Sequence, residues 1–173
     1  MNTIRPPFLI ERLRANTPII QGLIAGVSME QARWKPAPEK WSILEVINHL
    51  YDEEREDFRQ RLDYTLHKPG ADWPPINPQK WVTERRYNER DLAESLHRFL
   101  TERQASLEWL HQLENPNWEH YKDHPIAPRI TANRLLACWV AHDLLHIRQL
   151  NALHWAYLNH LSGEGSLDYA GEW

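Results

Sequence analysis

Apolar residues recur at helical spacing in four stretches of this chain, and almost nowhere do they alternate as a strand requires. Between Phe8 and Leu23 one stripe holds Leu9, Leu13, Asn16, Ile20 and Leu23, with Pro18 placed to kink or divide the helix. Ser28 and Gln31 form a small capping-box pattern that opens a short turn. The second long helix has the clearest start: Ser42 as N-cap, Glu45 three residues on, then Ile43, Val46, Leu50, Phe58 and Leu62 turned inward until His67. A third period, from Asn88 to Leu113, repeats Leu92, Leu96, Phe99, Arg103, Leu107 and Leu110. The fourth runs from Thr131 to His160 and aligns Leu135, Cys138, His142, Leu145 or His146, Gln149 and Leu153.

Two long connectors separate the last three helices. The stretch from His67 to Tyr87 contains Pro69, Pro74, Pro75 and Pro78, a composition that stops helices and favours extended backbone. The next contains Pro116, Pro125 and Pro128. A connection of this length suits a bundle in which two consecutive helices lie parallel and the chain crosses from one end to the other. The predicted fold is all-α: a four-helix bundle with long crossover connections over residues 1–160, and a C-terminal tail over 161–173 that packs on or extends from it.

Composition narrows the function. At 173 residues, with 42% hydrophobic and 25% charged positions, the chain predicts one soluble domain with a packed core. The N-terminus reaches Glu11, Arg12 and Arg14 before an apolar run can form, which argues against a signal peptide. No run approaches the roughly 18 apolar residues of a membrane span. A cytoplasmic location is expected, and the single cysteine, Cys138, agrees by excluding an intrachain disulfide and a CxxC site. A net charge of −4 gives no basic field for nucleic acid. Histidine is the unusual residue, at ten, so imidazole is the ligand a transition metal would find here.

His142 and His146 stand four residues apart, on one face of the fourth helix, within reach of a single ion. His49, at the edge of the second helix's stripe, is a third candidate. Three imidazoles without thiolate suit zinc or nickel, with iron or manganese also compatible, and leave coordination positions open. Two core histidines bonded to neighbours are the plainer reading of the pair. Asp143 makes His142-Asp143-x-x-His146 resemble the zincin His-Glu-x-x-His, but it points about 100° away from the histidine face. A zincin would also need a downstream ligand, for which Glu164 is the nearest acid. Asp143 is expected instead to orient a histidine or to solvate the surface.

Glu45 is explained by its cap. Glu53, one turn beyond His49, is the best acid/base candidate, although the run from Asp52 to Asp57 otherwise reads as a solvated charged face. Gln149 can bond a histidine, a metal-bound water or a neighbouring helix. Cys138 reads as a small buried hydrophobe and not as a fourth ligand. Trp34 and Trp41 are expected to clamp the loop before the second helix, and Trp139 and Trp155 to serve as core, with pocket or dimer face as the rival role.

The segment Trp41-Ser42-Ile43-Leu44-Glu45-Val46-Ile47-Asn48-His49-Leu50, together with His142-x-x-x-His146 and Gln149, resembles the DinB-like (DinB/YfiT) superfamily, and the ending from Asp168 to Trp173 is similar to that of some members. The resemblance implies a four-helix bundle with one divalent metal on His49, His142 and His146; on the reading of the residues above, Gln149 and Asp143 are the candidates to stand behind those ligands. Its members include thiol S-transferases using a low-molecular-weight thiol such as bacillithiol, mycothiol-dependent isomerases and metal-dependent hydrolases. The expected function is thus hydrolase or thiol transferase chemistry on a small-molecule substrate, through a metal-activated water or thiol. The rival is a non-catalytic bundle in which the metal fastens two helices and the protein serves as a dimerisation or binding module. A homodimer is expected, because related bundles often pair and nine Trp exceed the needs of one core.

Overall fold

The computed structural model describes residues 5–125, 128–163 and 167–171, so Glu164 and the closing Glu172-Trp173 lie outside the described residues. Helix α1 (Pro6–Ile24) opens on proline, whose missing N–H costs nothing there, and it runs through Pro18 undivided. Ser28 accepts from Gln31 N at the head of the short α2 (Met29–Arg33). The expected capping box begins α3 (Ile43–Glu53): Ser42 Oγ accepts from Glu45 N at 3.1 Å and Glu45 Oε2 from Ser42 N at 2.9 Å.

The second long helix continues to His67, but Glu54–Phe58 is a π turn between α3 and α4 (Arg59–His67). Its cause is visible in the burial pattern. Val46, Leu50, Glu54, Phe58, Leu62 and Leu66 are all buried and lie four residues apart. A straight α-helix would rotate such a series by about 40° per step, turning the last members away from the core. One extra residue in a π turn rotates the following segment back by about 100°, and Phe58, Leu62 and Leu66 stay inside.

The crossing connector contains α5 (Pro78–Glu84) and a 3-10 turn at Tyr87–Glu89, where extended backbone was expected. Asn77 caps α5, and Arg85 anchors it to α3 through Asp52 at 2.7 Å and the π turn's Glu56 at 2.8 Å. Tyr87 also donates to Asp52. The next helix, α6 (Leu92–Gln112), starts later than Asn88, because Asp91 accepts from Glu94 N at 2.9 Å and so fixes the first turn there. A two-residue hairpin, β1 (Tyr121–Lys122) against β2 (Ile130–Thr131), precedes α7 (Ala132–Ser162), which Thr131 caps as expected. Beyond α7, the described part of the tail is a 3-10 turn at Asp168–Ala170 with its side chains exposed.

Two apolar clusters fill the bundle. One holds Leu9, Leu13, Phe58, Leu62, Leu107 and Trp139; the other holds Ile20, Val46, Leu50, Leu92, Phe99 and Leu150. Chain order through them gives the topology. The α3–α4 rod and α6 run parallel to each other, and α1 and α7 run the opposite way. Only the first connector therefore crosses the length of the bundle, while the second starts and ends beside the same cluster. No helix among the described residues is long and apolar enough to cross a membrane.

Between the clusters lies a polar layer. Arg103, 1% exposed, donates from Nε and Nη2 to Glu54 at 2.7 and 2.8 Å, from Nη1 and Nη2 to Asp143 at 2.8 Å each, and from Nη1 to Leu13 O at 3.2 Å. Asn16 also donates to Asp143, and the Trp139 N–H to Glu54 at 3.1 Å. All five guanidinium donors are used and all four long helices contribute. This corrects two expectations. Asp143 neither solvates the surface nor bonds a histidine, because both its oxygens serve Arg103 and Asn16. The acidic run is no solvated face either: Asp52, Glu53, Glu54 and Asp57 are buried, and cations from the crossing connector, α6 and α4 supply partners for Asp52, Glu54 and Asp57.

Removing the cation alone would strand two buried carboxylates. Arg103→Leu is expected to lower unfolding free energy by about 3–5 kcal/mol, read from urea denaturation. A loss below about 1 kcal/mol, as for an exposed pair, would show that the layer does not hold the bundle.

Candidate metal centre

His49 leaves α3 one turn before the π turn, and His142 and His146 leave one face of α7. Helical spacing aligns the α7 pair, and the capping box fixes the phase at which α3 presents His49. The three Nε2 atoms converge: His142 Nε2 is 3.2 Å from that of His49 and 3.1 Å from that of His146. Two nitrogens each bound at 2.0–2.1 Å to a tetrahedral ion stand about 3.3 Å apart, so the observed spacing fits one ion. Among the described residues this is the one group of three potential ligands gathered within 4.8 Å.

Proton placement strengthens the fit. Gln149 Oε1 lies 2.8 Å from His146 Nδ1 and accepts its proton, which leaves a lone pair on His146 Nε2. Gln149 thus takes the histidine-bonding role among those weighed for it. His49 Nδ1 faces Glu53 Oε1 at 3.9 Å, and both atoms are buried without a hydrogen-bond partner. With that nitrogen protonated toward Glu53, His49 also turns a lone pair inward. His142 has one proton at most to give from Nε2 and cannot satisfy both neighbours, whereas a cation satisfies all three.

The surroundings keep these rings neutral. Burial, then the charge of His146, pushes His49 down to about 3. Burial also holds His142 well below the ordinary value, with His146, His49 and Arg103 acting in the same direction. His146 is lowered by burial against the opposing pull of Gln149 and Asp143. Glu53 goes the other way, up to about 9, because it is buried and faces the Asp57 carboxyl.

A cavity of about 520 Å³ opens beside the ligands. Glu53 and Gln149 reach it from the helices, Pro78 and Gln79 from α5, and Trp41 from the loop before α3. Trp41, expected to clamp that loop, also packs its ring on His49, with centroids 4.8 Å apart. Its position directly before the Ser42 cap, eight residues ahead of His49, was the available signal. Trp139 is core, stacked on Phe58, whose ring in turn lies 4.9 Å from that of His142. Cys138 faces solvent, contrary to its expected burial, because the core side of α7 turns toward Trp139 and Asp143. The remaining described histidines are scattered: His154 bonds Gln31 and Leu23 O, His67 bonds Asp63, and His120 bonds Leu66 O.

In metal-free protein, an unfolded histidine titrates near 6.5 while a folded one here stays neutral to lower pH. The unfolded chain then binds more protons, so the histidine contribution is complete above about 6.5 and is lost as pH falls toward the folded values. Glu53 has the opposite sign: its contribution is complete below its ordinary 4.5 and is lost as pH rises through about 9. Urea midpoints of the metal-free protein are expected to decline on both sides of neutrality. Glu53→Gln should flatten the alkaline limb and His49→Gln should make the acid limb shallower. An alkaline limb unchanged in Glu53→Gln would show that this carboxyl is not held protonated.

The family model of the DinB superfamily matches residues 12–150. Among solved structures, the chain is similar to YfiT from Bacillus subtilis, described as "a probable metal-dependent hydrolase with an unusual four-helix bundle topology". The two share 18% identity at a TM-score of 0.76, over 88% of this chain and 89% of that one, a likeness in fold. No curated protein matches. With most of its length under the family model and its three histidines gathered as described, the chain belongs to the DinB superfamily.

Proposed function

We propose that the protein binds one divalent ion, zinc or nickel, through Nε2 of His49, His142 and His146, and that it is a metal-dependent hydrolase or thiol transferase acting on a small electrophilic substrate. The observation that carries this reading is the convergence of three imidazole Nε2 atoms, the lone pair of one of them set by Gln149, beside an open cavity. A structural ion would be closed off by four protein ligands; three imidazoles next to a cavity match the open arrangement of catalytic sites. The description of YfiT as "a probable metal-dependent hydrolase" points the same way.

An ion held there supplies a nucleophile at neutral pH by acidifying a water or a low-molecular-weight thiol. The chain's own residues do the rest. Gln149 fixes the tautomer and ring plane of His146, and Glu53 faces Nδ1 of His49 across 3.9 Å, close enough to accept its proton after a small shift. Neutral histidines give up no proton on binding a metal, so affinity survives mild acid. Pro78 and Gln79, on a helix tied down by Arg85, limit water access from one side.

Protein purified and reloaded with zinc or nickel is expected to hold close to one ion per chain by elemental analysis. The double substitution His142→Ala/His146→Ala and the single His49→Ala should each abolish tight retention. Gln149→Ala should weaken affinity by about 10–100-fold with the fold intact. Full retention in the double variant overturns the site. Screening esters, amides and electrophiles with and without thiols, on loaded and stripped protein, separates hydrolysis from thiol transfer; a loaded protein inert to every class favours the non-catalytic bundle.

A further inference from the structure

We propose that Trp41 is a specificity wall of this centre, and that the cavity takes a substrate with an uncharged body and a flat, aryl-like group next to the reacting acyl group. This substrate class rests on the metal reading above.

The indole is placed with unusual definition for a loop residue. Trp41 directly precedes the Ser42 cap, and Glu45 of that capping box also pairs with Lys35 at 2.7 Å, so both ends of the segment from Lys35 to Ser42 are tied to α3. Its ring is parallel to that of His146 within 3°, with centroids 6.5 Å apart, and tilted 60° to that of His49. The indole is thereby aligned with the ligand set while half-buried in the cavity wall. Trp73 and Trp139 give their N–H groups to Thr65 and Glu54, but among the described residues the Trp41 N–H bonds nothing. Hydrogen bonding within the protein therefore does not explain where Trp41 sits. A rigid indole face offers a ligand contact area at little entropic cost, and aryl groups profit from it most.

Beyond the ion itself, the side-chain cations near the opening offer an anionic body no free anchor. Arg103, Arg85 and Arg61 are each paired with buried carboxylates. Lys40, exposed at the rim, has Glu39 beside it, which cancels its field over the opening. Closer to the histidines the polar lining is made of the amides of Gln79 and Gln149 and the Glu53 carboxyl, which burial and Asp57 hold in its neutral form up to about 9. Gln149 spends its oxygen on His146 and keeps amide hydrogens for a substrate carbonyl.

Benzohydroxamate and acetohydroxamate test this, since they share a chelating head and differ only in phenyl against methyl. Calorimetric titration of the zinc-loaded full chain, corrected for each probe's affinity for free zinc, is expected to show at least about tenfold tighter binding of benzohydroxamate. Trp41→Leu should erase most of that preference, leaving acetohydroxamate affinity and zinc content unchanged, and Trp41→Phe should keep most of it. Equal affinities in the unmodified protein, or an undiminished preference in Trp41→Leu, overturn the proposal. Zinc content separates the two readings. One zinc per chain without aryl preference overturns the wall and leaves the metal centre standing. A Trp41-dependent preference in a chain that takes up no zinc does the reverse.

Discussion

One buried arginine sets the register of the four helices. Burying Arg103, Glu54 and Asp143 carries a desolvation cost of several kcal/mol per ion, and a well-packed apolar layer could match or exceed its stability. What the polar layer adds is uniqueness of alignment. Five donors in a planar fork accept few arrangements, and each of the other three long helices supplies one of their acceptors. Sliding α7 by one residue would break both bonds from Arg103 to Asp143 and that from Asn16, and leave a buried charge alone. The apolar clusters above and below could tolerate such a slip far better, since Leu-rich surfaces repack.

The candidate centre takes its precision from that layer. His142 is the residue before Asp143, and Glu53 the residue before Glu54, so the carboxylates that grip Arg103 carry the site's components as their immediate neighbours. The π turn makes this possible on the α3 side. It lets Glu53 face His49 and Glu54 face Arg103 while Phe58, Leu62 and Leu66 still reach the core. A straight helix could serve the upper cluster or the site, but its fixed rotation of 100° per residue would not serve both.

Much of this was legible in the sequence because it depends on local periodicity. The stripes, the Ser42 capping box, the parallel pair implied by a long Pro-rich connector, and the His142/His146 spacing are all short-range features. Arg103 and Asn16 stood openly on otherwise apolar stripes, which is where a buried polar layer has to show itself, yet no spacing rule names a partner in another helix. The acidic run misled for the same reason: Asp52 and Glu54 are buried by Arg85 and Arg103, which lie far along the chain. The π turn had a local signature in its series of inward residues at intervals of four. Trp41 had none beyond its place in the motif, because loop geometry decides whether an indole faces core or cavity.

The centre therefore sits at a controlled weakness beside a layer in which every guanidinium donor is satisfied. Arg103 shows how this protein treats a polar group it means to bury for structure: every donor is paired. His49 Nδ1 and Glu53 Oε1 are treated differently, aimed at each other across 3.9 Å, without a bond at that distance. Three neutral imidazoles turned nitrogen to nitrogen are likewise a poor solution for a core and a good one for a cation. Drawing charge onto the Nε2 atoms would acidify the Nδ1 protons and strengthen the link from His49 to Glu53. The same geometry that costs the fold some stability is what a ligand would recover on binding, through the mass-action coupling of binding to folding.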